Sequence, residues 1–522
     1  TTEIYTLSLH DALPICFRAS GNSSARIMVP TRRWTLSKSS IVIDVVSMAK
    51  NTSDLCSMQP HIVVAGAGWA GISAAIHAVR RGARVTLVEE RPYVGGRARS
   101  VLDKTANVMV DNGQHVMMGC YSDVLTVLNE LGTTNFLERQ RALQVIFAER
   151  GGTTAKLDAS ALPGKLGVVY GLLKMSGLSF AAKRDIIRLM VRIQRRVVQG
   201  SGRTCYELLR DEQQREAAIT RFWEPVVLAT LNMSVRSADA DLLLTVMARA
   251  FLGSRDDAAM LIPRQGLSDL IDPIGPWLQR HGSVMQLSTS VDRLHTLPET
   301  TTTDASTHST TLRVNRVVIS DGTELDVDGV ILAVPRKALD RLLQNSSIPI
   351  EFPDPPAQSP IVSVYLHYDR PWMPTDFAAC LGTTIQWVFD KRRQRPGTVA
   401  LTVSAGDNIV AATSDDIIKL ADRELRDVFS QHMSAVQLTS GLVIKEKTAT
   451  PAFTPVTARQ RPPGDALRNP GIRRMNNAVN NVSLAGDWLD TGLPATLEGA
   501  ALSGRRAVEI LLGERLTGDR PS

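Results

Sequence analysis

Nowhere in the 522-residue chain is there an uncharged apolar run of about 18 residues, the length a membrane-spanning helix needs, so the sequence predicts no spanning helix. Cysteine is scarce. Cys16, Cys56, Cys120, Cys205 and Cys380 are scattered and form no CxxC pair or zinc-type spacing. An odd, dispersed set argues against a disulfide framework and a structural metal, and fits a reducing, cytoplasmic compartment. A strong charge of one sign is lacking too: 59 Lys and Arg stand against 52 Asp and Glu, a formal net charge of +7. That excess is too mild to argue for a nucleic-acid partner. No internal repeat is visible. What remains is an ordinary composition, 43% hydrophobic and 21% charged, in a chain long enough for two or three intertwined domains at roughly 100–200 residues each.

The opening stretch TTEIYTLSLHDALPIC has no basic segment followed by an apolar one, so it does not read as a signal peptide. It resembles translated sequencing-adapter read-through. Residues 1–57 are therefore expected to lie outside the fold as a disordered or artefactual extension, with Met48 or Met58 as the start. A genuine disordered arm is the competing reading.

From His61 the texture becomes regular. HIVVAGAGWAGISAAIHAVRRGARVTLVEE reads as strand, glycine turn, helix and strand, with Ala74, Ala75, Ala78 and Val79 at helical spacing and Gly82 placed to end the helix. Residues 122–131 predict an amphipathic helix capped by Ser122. Helical patterns dominate from about 160 to 260, an inserted helical region. After about 283 strand-like alternation returns, with Asp321-Gly322 marking a tight turn. The Thr/Ser-rich stretch 298–311 is expected to be a long mobile hairpin loop. The chain closes with NVSLAGDWLD and PATLEGAALSGRRAVEILLG, a strand and a helix.

Gly66-Ala67-Gly68-Trp69-Ala70-Gly71 supplies a GxGxxG pattern between a strand and a helix. In such a turn the first glycine permits the bend, the second lets backbone approach a pyrophosphate, and the third allows helix–strand packing. The helix N-terminus offers amides and partial positive charge to the phosphates. Glu89, at the end of the next strand, is positioned for ribose hydroxyls; Glu90 is a neighbouring candidate that strand alternation turns the other way. RPYVGGRARS follows, and its Gly95, Gly96, Arg97 and Arg99 resemble the pattern of flavoproteins such as amine oxidases and phytoene desaturases. LAGDW near the other end places Gly486 and Asp487 after an apolar strand, where that resemblance implies contact with the ribityl and pyrophosphate part of FAD. The helix that follows would direct its N-terminal dipole at the flavin.

VDNGQHVMMGCY, residues 110–121, admits two readings. One is a polar hairpin turn; the other is a close approach of Gly113 to a flat cofactor, with Gln114 and His115 facing it. A wider resemblance favours the second. DNGQH, Trp223-Glu-Pro with Ala229-Thr-Leu-Asn232, Leu261-Ile-Pro-Arg264 with Leu267-Ser-Asp269, Lys447-Thr-Ala-Thr450 with Phe453, Pro455 and Arg461-Pro462, and AGDWLDTGLPATLEGAALSGRRA together resemble one family. It is the hydroxysqualene dehydroxylase (squalene-associated FAD-dependent desaturase) family of bacterial hopanoid and squalene pathways, and the similarity runs from about residue 60 to 515.

The resemblance implies an α/β (mixed with α+β) fold: a Rossmann-like FAD-binding domain of amine-oxidase-type architecture, plus a substrate domain of antiparallel sheet and helical insert. The expected division is 58–135, 283–345 and 456–515 for FAD binding, with 136–282 and 346–455 forming the substrate domain. The implied activity is reductive removal of an allylic hydroxyl, giving squalene and water. Expected FAD contacts are Gly66, Gly68, Trp69, Ala70, Gly71, Glu89, Glu90, Arg91, Gly95, Gly96, Arg97, Gly113, Gln114, His115, Val291, Gly486, Asp487 and Thr496. No metal is expected. His115 is the first candidate for the acid that helps the hydroxyl leave, because its pKa lies near neutrality; Asp490 is the second. Asp111 is expected to fix the turn or bind cofactor. Two other readings stay open, an FAD-dependent carotenoid or phytoene desaturase and a non-catalytic prenyl-lipid binder.

The implied partners are the isoprenoid lipid and an unidentified electron donor. Residues 166–198 join an apolar half to a basic amphipathic half, in which Lys183, Arg184, Arg188, Arg192, Arg195 and Arg196 accompany Ile186, Ile187, Leu189, Met190, Ile193 and Val197. Such a helix is expected to lie peripherally on the inner face of the membrane, or to present a solvated face while packed in the substrate domain.

Overall fold

The computed structural model describes residues 28–29, 32–33, 59–162, 164–304, 307–348, 352–468 and 477–513. Residues 1–59 form one unit, in which a short antiparallel pair, Met28–Val29 with Arg32–Arg33, is described. The expectation for residues 1–57 otherwise falls outside the described residues. The unit from Pro60 onward carries everything that follows.

Its framework is a five-stranded parallel sheet. Taking β1 as His61–Ala65, β2 as Arg84–Val88, β3 as Val284–Gln286, β4 as Gly329–Leu332 and β5 as Val482–Leu484, the spatial order is β3-β2-β1-β4-β5. Strands covered on both faces read as continuous apolar runs, and β1 and β4 are buried throughout. Distant parts of the chain therefore share one sheet. Helix α1 (Trp69–Arg80) follows β1, and the helix Leu497–Leu512 crosses it so closely that a Cβ on Gly504 would stand 2.1 Å from the Ala70 carbonyl oxygen. Ser73 Oγ donates to the Ala501 carbonyl at 2.7 Å across that contact.

The second body is a seven-stranded mixed sheet. Its order is Thr154–Asp158, Gln144–Glu149, Phe377–Leu381, Trp387–Asp390, Thr398–Val403, Gln358–Tyr368 and Leu438–Pro451. The helical insert packs on it and contains α2 (Gly164–Lys174) and α3 (Phe180–Gln194). Two of its turns, Ile219–Trp223 and Met247–Phe251, are π-helical, a form that concentrates at functional sites.

Three expectations need correction. The described residues of 298–311 are not a loop: Val291–Asp304 and Thr307–Ile319 pair antiparallel, and Asn477–Val479 adds to the second strand. Runs of β-branched threonine suit a pleated ladder as well as they suit a polar loop. The helix Ser122–Leu131 is capped from a distance, since the Glu498 carboxylate accepts the Asp123 and Val124 amides at 3.1 and 3.0 Å and Ser122 makes no cap. In α3, Ile186, Leu189, Met190 and Ile193 are buried in the protein core while Val197 beyond it is exposed, so these four side chains meet protein rather than lipid.

Candidate active site

A cavity of about 1510 Å³ lies between the two sheets. Single small-molecule sites usually occupy roughly 300–1,000 Å³, so this one has room for two ligands.

On the parallel-sheet side the walls suit a dinucleotide. Gly66 takes φ +98°, and a Cβ there would lie 2.4 Å from the Ala333 carbonyl oxygen, so only glycine makes this turn. The α1 N-cap is Gly68, which has no side-chain oxygen to satisfy the first-turn amides, leaving them for an anion. Trp69 borders the cavity and its Nε1 is buried without a protein partner. Glu89 ends β2 with Oε2 accepting from the Ala67 amide at 2.7 Å and Oε1 from the Arg91 amide at 2.9 Å. Arg97 Nη1 donates to the Ala449 carbonyl at 2.8 Å and Nη2 to Asp487 Oδ1 at 2.6 Å. Asp487, with a smaller contribution from Glu446, raises the Arg97 pKa against the opposing effect of burial, so its charge is fixed. Thr496 caps the helix Leu497–Leu512, accepting from the Gly499 amide at 3.1 Å, and borders the cavity.

The second wall is apolar. Phe147, Leu157, Phe222, Phe377, Trp387 and Phe389 line it, drawn from the seven-stranded sheet and the first π-helical turn.

The DNGQH segment joins the two walls. It follows the second strand of the hairpin Ser100–Asp103 with Val108–Asp111, so it is a strand exit and not the hairpin turn. Asp111 Oδ1 accepts from Ser100 Oγ and the Leu267 amide, each at 2.8 Å, away from the cavity. Gly113 takes φ +98°, which favours glycine, and it borders the cavity, where a Cβ would meet no protein atom closer than 3.7 Å. Tyr365 stitches the segment: its hydroxyl accepts from the Asp111 amide (2.8 Å) and Gln114 Nε2 (2.6 Å) and donates to the Asp111 carbonyl (2.9 Å). The sequence reading missed Tyr365, because PIVSVYLHY carries two tyrosines and no local pattern marks which of them reaches Asp111.

Of the expected FAD contacts, all but Gly71 border the cavity. Gly71 acts by packing, since a Cβ there would strike the Gly66 carbonyl at 1.8 Å. Val291 borders the cavity beside Thr289 and Ser290. Asp490 does not border it; the carboxylate is 54% exposed, 3.1 Å from Arg461 Nη2, and accepts from the Gly492 amide. An exposed, ion-paired carboxylate outside the cavity is not placed to protonate a substrate, which corrects its candidacy. His115 borders the cavity and makes no protein hydrogen bond. Burial lowers its pKa below the usual 6.5, helped by the Arg97 charge and opposed by Asp111. That shift favours the neutral imidazole in the resting protein. Among the described residues no cluster of three or more His, Cys, Asp or Glu side chains is arranged to hold a metal ion.

The flavin containing amine oxidoreductase family profile matches residues 69–512, and the chain belongs to that family. A hydroxysqualene dehydroxylase of Sinorhizobium fredii is 25% identical over 474 residues, covering 88% of this chain and all of the relative. Another, of Rhodopseudomonas palustris, is 26% identical and covers 87% of this chain and 99% of its own. Among solved structures, an oxidoreductase from Methanosarcina mazei superposes with a TM-score of 0.63 at 15% identity, covering 86% of this chain and 100% of that one, which agrees in fold. The protein is an FAD-dependent oxidoreductase, and the uncapped α1 amides, Glu89 and the Arg97–Asp487 pair fit that cofactor.

Proposed function

We propose that this protein removes the allylic hydroxyl of hydroxysqualene reductively, releasing squalene and water. The observation that carries the reading is one cavity with a dinucleotide cradle on one wall and an aromatic, apolar surface on the other, large enough for cofactor and lipid together. Full-length likeness to hydroxysqualene dehydroxylases supports it.

Bound FAD in its reduced form supplies a hydride; with one proton, the C–O bond is replaced by C–H and the oxygen leaves as water. The protein's share is positioning and exclusion. Glu89 and the α1 amides hold the adenosine and diphosphate end, and Arg97, locked by Asp487, places positive charge beside the diphosphate. Phe222, Phe377, Trp387 and Phe389 hold the isoprenoid chain and keep water from the allylic cation. Gln114 is fixed by Tyr365, and His115 moves the proton at a ring nitrogen that no protein group occupies. Its low pKa makes the imidazolium a strong acid once formed.

The test is anaerobic incubation of chemically reduced, FAD-loaded protein with hydroxysqualene, and separately of oxidised protein with phytoene, followed by product analysis. Squalene from the first and nothing from the second is expected. New double bonds in phytoene without squalene formation would replace this reading with a desaturase.

A further inference from the structure

We propose that the outer face of α2 is the surface by which this protein seats on an anionic lipid bilayer. A helix on a globular protein normally turns its large apolar side chains inward, and α2 leaves three of its own outside. Gly167, Val168, Gly171 and Leu172 face the protein, whereas Leu166, Tyr170 and Leu173 are 59%, 38% and 43% exposed. The spacing 166, 170, 173 puts these three on one stripe, and Leu162, just before the helix, is exposed too. The inward glycines are structural. A Cβ on Gly167 would lie 2.3 Å from the Ala159 carbonyl oxygen, and one on Gly171 2.6 Å from that of Asp158. Backbone contact thus fixes which side of α2 points out.

The patch continues onto α3. Lys183 Nζ donates to the Leu173 carbonyl at 2.9 Å, tying the first turn of α3 to the last turn of α2. Phe180, in that same first turn, is 75% exposed. The lysines complement an anionic surface: at 100° per residue Lys165 and Lys174 flank the apolar stripe on opposite sides, and both are exposed. Residues 164–196 carry eight basic side chains and one acidic, a surplus of seven that equals the formal net charge of the whole chain. Arg184 and Arg192 of α3 are already paired with Asp185 and Glu212, whereas Lys165 and Lys174 form no ion pair among the described residues; exposed apolar groups flanked by such lysines are the composition of an interfacial helix. Among the described residues no helix is long and apolar enough to cross a membrane, so the contact is one of seating.

The position relates to the cavity. Val168 and Leu172, on the inward face, share a core cluster with Val145, Phe147 and Leu157, which line the cavity. The inward face of α2 thus packs into the same core that forms the apolar wall. The purpose of such a placement, uptake of a bilayer-dissolved lipid, rests on the hydroxysqualene reading; the surface itself rests on the geometry alone.

The test uses the full FAD-loaded chain, without substrate, in flotation with vesicles of equal parts phosphatidylglycerol and phosphatidylcholine, and with phosphatidylcholine alone. The wild type should float with the anionic vesicles, and the triple variant Leu166→Glu, Tyr170→Glu, Leu173→Glu should bind about tenfold or more weakly while retaining its flavin and the mass of the wild type in solution. Lys165→Glu with Lys174→Glu should remove the preference for anionic vesicles. Tyr170→Trp should give a fluorescence blue shift on binding and quenching by brominated acyl chains. Wild-type protein that ignores both vesicles, a triple variant that binds as well, or a wild-type dimer that the triple variant splits would each overturn the proposal. Because binding is read without substrate, it fails or succeeds separately from squalene formation.

Discussion

Arg97 and Asp487, 390 positions apart in sequence, meet at 2.6 Å on the wall of the cavity. The contact joins the glycine pair after β2 to the turn after β5, so it closes the cofactor-binding domain between the two ends of the chain. Arg97 also holds the Ala449 carbonyl, which belongs to the long strand Leu438–Pro451 of the other sheet. One guanidinium thus sets cofactor wall against substrate wall.

Removing that charge should weaken cofactor binding more than it weakens the fold. Arg97→Met is expected to lose about 1–2 kcal/mol of FAD affinity, about tenfold in dissociation constant, the pair being partly exposed. Asp487→Asn should do less, because an amide still accepts a hydrogen bond. The flavin-to-protein ratio after gel filtration and a titration with FAD measure both. Full flavin retention in Arg97→Met would remove it from the cofactor site.

Tyr365→Phe leaves the buried Asp111 amide without its acceptor and frees Gln114. A cost of about 1–3 kcal/mol is expected, read as a lower denaturation midpoint with FAD still bound. Turnover should fall with little change in KM, since the variant loosens the strand exit carrying His115 and leaves the apolar wall intact.

His115 gives a pH signature. Burial lowers its pKa below 6.5, so the imidazolium that donates the proton becomes populated only as pH falls below that value. The rate with reduced FAD should rise as pH drops from 8 toward 6, over a range in which flavin content is constant. In His115→Gln that rise should vanish while FAD remains bound. A variant with the wild-type pH profile and rate would exclude His115 from proton transfer.

His77 bears on stability. It sits on α1 with Nε2 buried and unpartnered, and burial lowers its pKa to about 4. A depressed folded value means that the unfolded chain binds the proton first. The neutral His77 contribution is therefore fully present above the usual 6.5 and is lost as pH falls toward about 4, up to about 3 kcal/mol. Melting followed from neutral to acid pH should show a smaller decline in His77→Leu than in the wild type; equal declines would refute the assignment.

The parallel sheet was legible because its signals are local: an apolar strand, glycines at fixed offsets and a carboxylate after the next strand are tied to one turn geometry. The two ends of the chain were assignable to one domain for the same reason, each carrying a strand–turn–helix. What escaped depends on pairing across the fold. The threonines after Val291 read as a loop until Thr307–Ile319 supplies their partners. The cap of the helix Ser122–Leu131 comes from Glu498, which no local pattern connects to it. Asp490 was legible as a carboxylate near GDW, but its direction is set by Arg461, and that direction takes it out of the cavity. In α3 the periodic apolar stripe was read correctly as a face, while the choice between lipid and protein needed the core that covers it. In α2 the glycines decide the matter, because their contact distances and not hydropathy turn Leu166, Tyr170 and Leu173 outside.

The central claim is that one cavity brings FAD and an allylic alcohol together for hydride delivery. It is tested most directly in a single turnover: photoreduced, FAD-loaded protein is mixed anaerobically with hydroxysqualene while oxidised-flavin absorbance is followed and the lipid is extracted. The account predicts one squalene formed for each flavin reoxidised, at the rate of reoxidation. Reduced flavin that stays reduced in folded protein saturated with hydroxysqualene, with no squalene in the extract, would contradict it.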